Sequence, residues 1–216
     1  MSLKVKSIRP RTRRKPETGF TIVELMIAMT VLSVLLLLAS VTLIQIGRLY
    51  SKGSNEAETQ NTARNIINQV ASEIQFGGSA PLPSSPTAGA YCIGSQRYTY
   101  QLGQQLAGSV QHVLWQDTTN SSGSCNPLDL NATSPSDTST VPNSGSELVP
   151  ANMRLTDFSI TNGTTPSTYT VKVTVAYGAD DLVNQTTSPA TCRGGIGTEF
   201  CAVSSLTETV TQRIQE

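Results

Sequence analysis

The sequence predicts an α+β protein: one long N-terminal helix, apolar all round in its first half, packed through its second half on an antiparallel β-sheet domain. Three observations carry this expectation. From Phe20 to Ile46 the chain reads FTIVELMIAMTVLSVLLLLASVTLIQI, with one charge and no Gly or Pro. From Gly47 to Phe76 there is still no Pro, and apolar residues recur in steps of three and four. From Gly77 onward Ser and Thr make up 39 of 140 residues, and alternating stretches stand between polar turns.

The charge is laid out in blocks. Lys and Arg number 15 and Asp and Glu 15 in 216 residues, but that balance averages two unlike segments. Residues 1–19 carry Lys4, Lys6, Arg9, Arg11, Arg13, Arg14 and Lys15 against Glu17 alone, a net of +6, which leaves −6 for the rest. A helix rising ~1.5 Å per residue crosses a bilayer in about 20 apolar residues, and this run is longer. Basic residues ahead of it put 1–19 in the cytoplasm and the body outside. A secretory signal peptide fits less well: its apolar core is only about 7–15 residues, and Leu37-Leu38-Ala39-Ser40 offers bulky leucines near any cut. Arg13-Arg14 is followed by Lys15-Pro16, where a twin-arginine signal wants apolar residues.

Glu24 is the residue that needs explaining, because a carboxylate in a membrane segment costs roughly 2.5–3.5 kcal/mol at mid-bilayer. Gly19-Phe20-Thr21-Ile22-Val23-Glu24-Leu25 follows a basic, Pro-containing leader and opens the apolar run. This segment resembles the processing site of type IV prepilins and type II secretion pseudopilins. The resemblance implies a pilin-like fold, cleavage after Gly19 by a membrane-embedded prepilin peptidase, and N-methylation of Phe20 by the same enzyme. Thr21 and Leu25 complete the recognition motif, and Glu24 takes the assembly role. The physics agrees: the new Phe20 ammonium needs a counter-charge in an apolar setting, and a Glu24 carboxylate supplies it. Glu24 near the start of the helix also complements the helix dipole, and Gly19 leaves the backbone open to approach.

In the second half of the helix, Ala63, Ile66, Ile67, Val70, Ala71 and Ile74 form one apolar stripe, which must pack on the downstream domain. Gly77-Gly78, Pro81, Pro83 and Pro86 end the helix, giving ~85 Å at 1.5 Å per residue from Phe20 to Phe76. Many major pilins have a Gly and a Pro in the transmembrane half; Ser33 and Val41 stand at the matching positions. A continuous helix is therefore expected, and a minor rather than a major subunit.

The clearest strand is Thr168–Tyr177, with Tyr169, Val171, Val173, Val175 and Tyr177 on one side and Thr170, Lys172 and Thr174 on the other. Met153–Ile160 is its expected partner across Asn162-Gly163. Tyr91–Tyr100, Val110–Gln116 and Val203–Ile214 complete one sheet of four or five strands, and 118–150 reads as a long surface loop. The reading thus divides the chain into a leader at 1–19 that is removed, a transmembrane half-helix at 20–46, an amphipathic half at 47–76 and a sheet domain at 77–216.

Cys92, Cys125, Cys192 and Cys201 all lie in the part expected outside, and an even count there points to disulfides. Three pairings are possible; the short glycine-rich stretch between Cys192 and Cys201 closes easily and favours that bond, with Cys92–Cys125 as the other. The spacing does not suit zinc, and a lone His112 excludes a His-rich metal centre. There is no Gly-x-Ser-x-Gly, no Cys/His pair with an orienting group and no phosphate loop beyond a weak Gly194-Gly195-x-Gly197 match. Asp180-Asp181 is a candidate calcium turn that more often only faces water. Asn120, Asn131, Asn162 and Asn184 begin Asn-x-Ser/Thr triplets at a frequency chance explains. No cofactor is called for, and an acidic body disfavours direct nucleic-acid contact.

The resemblance thus implies a non-enzymatic structural subunit of a type IV pilus or related filament. It would reside as a single-pass protein in the cytoplasmic (inner) membrane before joining the pilus or pseudopilus. Its implied partners are the prepilin peptidase/methyltransferase, other pilin subunits through the helix, the inner-membrane assembly platform and the cytoplasmic membrane. A pseudopilin of a secretion or DNA-uptake apparatus is the alternative within that resemblance. A bitopic receptor or enzyme is the alternative outside it, and it would need a catalytic constellation that the sequence does not offer.

Overall fold

The computed structural model describes residues 19–83, 89–108, 112–119, 125–131, 145–195 and 197–213. The basic segment through residue 18, with its Arg13-Arg14 pair, lies outside the described residues, as do Pro86, Asn120 and Ile214. Among the described residues one α-helix, α1, runs Ile22–Phe76 and is followed by ten strands. The protein has the α+β, pilin-like arrangement of a long N-terminal helix and a C-terminal antiparallel β domain. The chain divides into two units, Met1–Gln45 and Ile46–Glu216.

In the first unit every described side chain is exposed. Its helix satisfies four hydroxyls internally. The hydroxyls of Thr30, Ser33, Ser40 and Thr42 donate to the carbonyls of Ile27, Met29, Leu36 and Ala39, each at 2.8 Å. Such back-bonding lets hydroxyls sit in an apolar medium without an unsatisfied donor. Helix α1 is long and apolar enough to cross a membrane.

In the second unit α1 buries Thr59, Thr62, Ala63, Ile66, Ile67, Val70, Ala71 and Ile74, the stripe marked by the steps of three and four. Gly77 stops the helix, its N–H donating to the Glu73 carbonyl at 2.7 Å, and Gly78 follows at φ 72°, a left-handed stop that glycine adopts without strain.

The β domain differs from the single sheet expected. Strands β1 (Leu82–Pro83), β2 (Ala90–Ile93), β3 (Gln96–Tyr100), β4 (Leu114–Thr118) and β5 (Ser146–Glu147) form one antiparallel sheet in chain order. Strands β6 (Met153–Asn162), β7 (Thr168–Tyr177) and β10 (Ala202–Thr211) form a second, with β7 central. Strands β8 (Val183–Asn184) and β9 (Thr191–Cys192) make a small ribbon.

The reasons for each correction are local. Tyr91–Tyr100 is a hairpin, because Gly94 (φ 60°) with Ser95 makes a two-residue turn between Ile93 and Gln96. A side chain at Gly94 would also meet the Gly77 carbonyl oxygen at 2.6 Å. The strand expected at Val110–Gln116 begins at Leu114 and ends at Thr118, and residues 109–111 are outside the described set. The last strand runs Ala202–Thr211, not Val203–Ile214. The loop expected over 118–150 contributes β5, and its Leu130 and Val149 are buried. A two-residue strand in Ser/Gly-rich chain has no alternation to read.

The core gathers the α1 stripe with Ile93, Tyr98 and Leu114 of the first sheet and Leu155, Phe158, Val171, Val173, Val175 and Val210 of the second. Phe158 joins the sheets by meeting Tyr91 and Tyr100 edge-on at 5.5 and 5.1 Å. Burial raises the phenol pKa of Tyr98, and that of Tyr100 is pushed up to about 12 by burial and then by Tyr91 beside it. Thr174 faces the other way from the apolar row yet is buried, bonded to the Ser205 hydroxyl at 2.9 Å.

Arg154 is among the largest wholly buried side chains of the described residues. It lies beside Leu155 because residues 103–106 bond along the edge of β6, with Gly103 N–H to the Leu155 carbonyl at 2.8 Å. Its guanidinium donates to the Gly178 carbonyl at 2.6 Å and pairs with Asp180. The candidate calcium residue Asp180 is therefore an arginine partner, which no local sequence signal indicates.

Candidate processing and assembly site

The start of α1 is built by four hydrogen bonds. Thr21 stands just before the first helical residue, where a Ser or Thr side chain can satisfy a helix N–H that has no partner within the helix. Its hydroxyl accepts from the Glu24 N–H at 3.2 Å. In return Glu24 Oε2 accepts from the Thr21 N–H at 2.9 Å and from the Thr21 hydroxyl at 3.0 Å. The Leu25 N–H reaches the Thr21 carbonyl at 3.2 Å. This reciprocal pair is a capping box. Reading Glu24 only as a counter-charge misses it, although Thr-x-x-Glu before an apolar run is its sequence signature.

Both Thr21 bonds fall on Oε2, so among the described residues Oε1 has no hydrogen-bond donor. The carboxylate is exposed, as are Gly19, Phe20 and Leu25. Among the described residues, a Cβ at Gly19 would meet nothing within 4 Å. The chain thus presents in sequence an exposed glycine, an exposed aromatic residue and, in the first turn of α1, a carboxylate with one oxygen in use.

The cysteines are joined as Cys92–Cys125 and Cys192–Cys201, with Cα separations of 5.6 and 5.8 Å. The first ties residues 125–131 to β2; the second closes a loop containing the turn Thr198–Phe200. Gly195 and Gly197, part of the weak phosphate-loop match, have φ of 120° and 92° and turn the chain inside that closed loop. Asn131 exchanges amide bonds with Gln101, Asn184 caps Thr186, and Asn162 ends β6. His112 lies 3.4 Å from Glu147 and edge-on to Trp115. No group of three or more His, Cys, Asp or Glu that could hold a metal exists among the described residues.

The family model described as the prokaryotic N-terminal methylation motif matches residues 14–40. The chain therefore carries the type IV prepilin-type signature over residues 14–40, which include the first part of α1. No curated protein matches the chain, and no solved structure does.

Proposed function

We propose that the chain is a minor structural subunit of a type IV pilus or related filament, made as a membrane-anchored precursor. A prepilin peptidase cuts between Gly19 and Phe20, the same class of enzyme methylates the Phe20 amine, and the mature helix then joins neighbouring helices. The observation that carries this reading is the methylation motif across residues 14–40, which takes in Gly19, Phe20 and Glu24. A cut after Gly19 leaves the capping box whole, since Thr21 and Glu24 both lie beyond it. The Glu24 oxygen not used by Thr21 is free to receive the ammonium of Phe20 from a neighbouring subunit, and pairing relieves the cost of either charge alone in an apolar filament core.

The absence of Gly and Pro from Ile22–Ile46 and the unbroken α1 support a minor role, because nothing in that segment favours local unwinding. Mass spectrometry of the membrane-extracted protein tests the processing step. The expected chain begins at N-methylated Phe20. An intact Met1 or Ser2 terminus, from cells with active prepilin peptidase, contradicts it.

A further inference from the structure

Strand β5 is two residues long and pairs with β4 at Trp115–Glu147 and Gln116–Ser146. The Glu147 side chain adds a second fastening. Its Oε1 accepts from the Leu114 and Val149 N–H groups at 2.9 and 3.1 Å, and its Oε2 from the Val113 N–H at 3.0 Å. One carboxylate thus ties residues 147–149 to the start of β4. His112 stands against it: Nδ1 lies 3.4 Å from Oε2 and has no hydrogen-bond partner among the described residues. The imidazole is edge-on to Trp115 at 4.3 Å, and the His112 carbonyl accepts from the Gln101 side chain. Both side chains are largely withdrawn from water, His112 being 22% and Glu147 17% exposed. We propose that His112 and Glu147 form a proton-operated latch on β5, which grips as pH falls through the imidazole range and loosens as pH rises through it.

The other charged groups around this sheet face are committed elsewhere. Asp117, two residues along β4 from Trp115 and so on the same face, pairs with Arg97 of β3. Asp129, in the segment tied to β2 by Cys92–Cys125, accepts from the Asn131 N–H. Gln101 and Asn131 are neutral and bond each other. In the closed latch an imidazolium faces the carboxylate, whereas a neutral ring leaves a half-buried carboxylate without a counter-charge. Burial holds the Glu147 carboxyl above the usual carboxylate range, against the pull of three backbone N–H groups and of His112. Both effects make the closed pair, which titrates as a unit, hold a proton more tightly than the open one. Imidazole is the side chain that changes charge between about pH 5 and 8. Closing is therefore favoured at the acid end of that window and lost as pH rises, by up to about tenfold per pH unit for one proton. Opening also bares Trp115, the one Trp of the chain, because Gly145 lies so close on its indole that a side chain there would collide with Nε1.

The test follows amide hydrogen exchange of the full-length protein in detergent from about pH 6 to about pH 8, the span over which imidazole loses its charge. Exchange is expressed as protection factors, which remove its intrinsic pH dependence. Val113, Leu114 and Val149 report the latch; Val173, in the central strand of the other sheet, is the reference. In the unsubstituted chain the three latch amides should lose protection relative to Val173 as pH rises, by up to about tenfold per unit. Acrylamide quenching of Trp115 should increase over the same range. His112→Gln offers Glu147 an amide that does not titrate, and both slopes should vanish. Latch amides that keep or gain protection with rising pH in the unsubstituted chain overturn the proposal, whatever the variant does. An unchanged slope in His112→Gln also overturns it.

Discussion

The Glu24 carboxylate accepts from the Thr21 backbone at 2.9 Å while the Thr21 hydroxyl accepts from the Glu24 backbone at 3.2 Å. A residue assigned to a neighbour's ammonium is thus also the cap of its own helix. The two roles use different oxygens and different physics. Capping needs an acceptor of the right reach, which an amide also provides; neutralising an ammonium needs a charge. Substitutions can therefore separate them.

The disulfides should contribute unequally. Cys92–Cys125 spans 33 residues and Cys192–Cys201 spans 9. In the chain-entropy picture these loops correspond to about 3.7 and about 2.6 kcal/mol. Denaturant titration of Cys92→Ser/Cys125→Ser and of Cys192→Ser/Cys201→Ser should show the larger loss for the first pair. Native protein should react with no thiol reagent before reduction; four accessible thiols would contradict the bonded state.

Arg154 should matter far more than its ion-pair partner. Truncating it leaves the Gly178 carbonyl without its 2.6 Å donor and opens a cavity in a fully buried site. Arg154→Ala should cost about 3 kcal/mol. Asp180 is 85% exposed, so water replaces much of what Asp180→Ala removes, and the loss should be about 1 kcal/mol or less. Equal losses in thermal unfolding would show that the ion pair, not the buried hydrogen bonds, holds this corner.

Stability should fall in alkali, for a reason that can be located. Tyr98 and Tyr100 have folded-state pKa values above the ordinary 10, Tyr100 at about 12. Where a folded pKa is raised, the folded state keeps its proton while the unfolded state releases it. The associated stability is therefore complete below pH 10 and lost as pH rises from there towards 12 and beyond. Tyr100→Phe should flatten that decline between pH 10 and 12, measured by urea midpoints at each pH. An unchanged slope would place the alkaline loss elsewhere.

What was legible in the sequence followed from periodicity and from motif. The α1 stripe at Ala63, Ile66, Ile67, Val70, Ala71 and Ile74 and the pair β6–β7 were readable because one face of each is apolar along many residues. The division into two larger sheets was not. It depends on Gly94 turning a single apparent strand back on itself and on Phe158 meeting Tyr91 and Tyr100 from a distant strand. Arg154 in an alternating strand reads as outward-facing, and only residues 103–106 folding along β6 enclose it. At the candidate site Glu24 stood out as a charge in an apolar run, whereas its bond to Thr21 was legible and easily passed over. Long-range pairs such as Arg48–Glu199 leave no trace in local pattern.

The filament claim is tested most directly by the amount of cleaved subunit in sheared filaments relative to membranes, for the unsubstituted chain, Thr21→Val, Glu24→Gln and Glu24→Leu. Thr21→Val removes a hydroxyl cap worth about 0.5–2 kcal/mol but keeps the carboxylate, and should still be incorporated. Both Glu24 variants should be cleaved and should accumulate in the membrane, since losing an intramembrane charge eases insertion. Breaking a buried charge pair from one side costs roughly 3–5 kcal/mol, so their filament-to-membrane ratio should fall by about a hundredfold or more. Incorporation of Glu24→Leu at the level of the unsubstituted chain, or absence of the unsubstituted chain from filaments, would contradict the account.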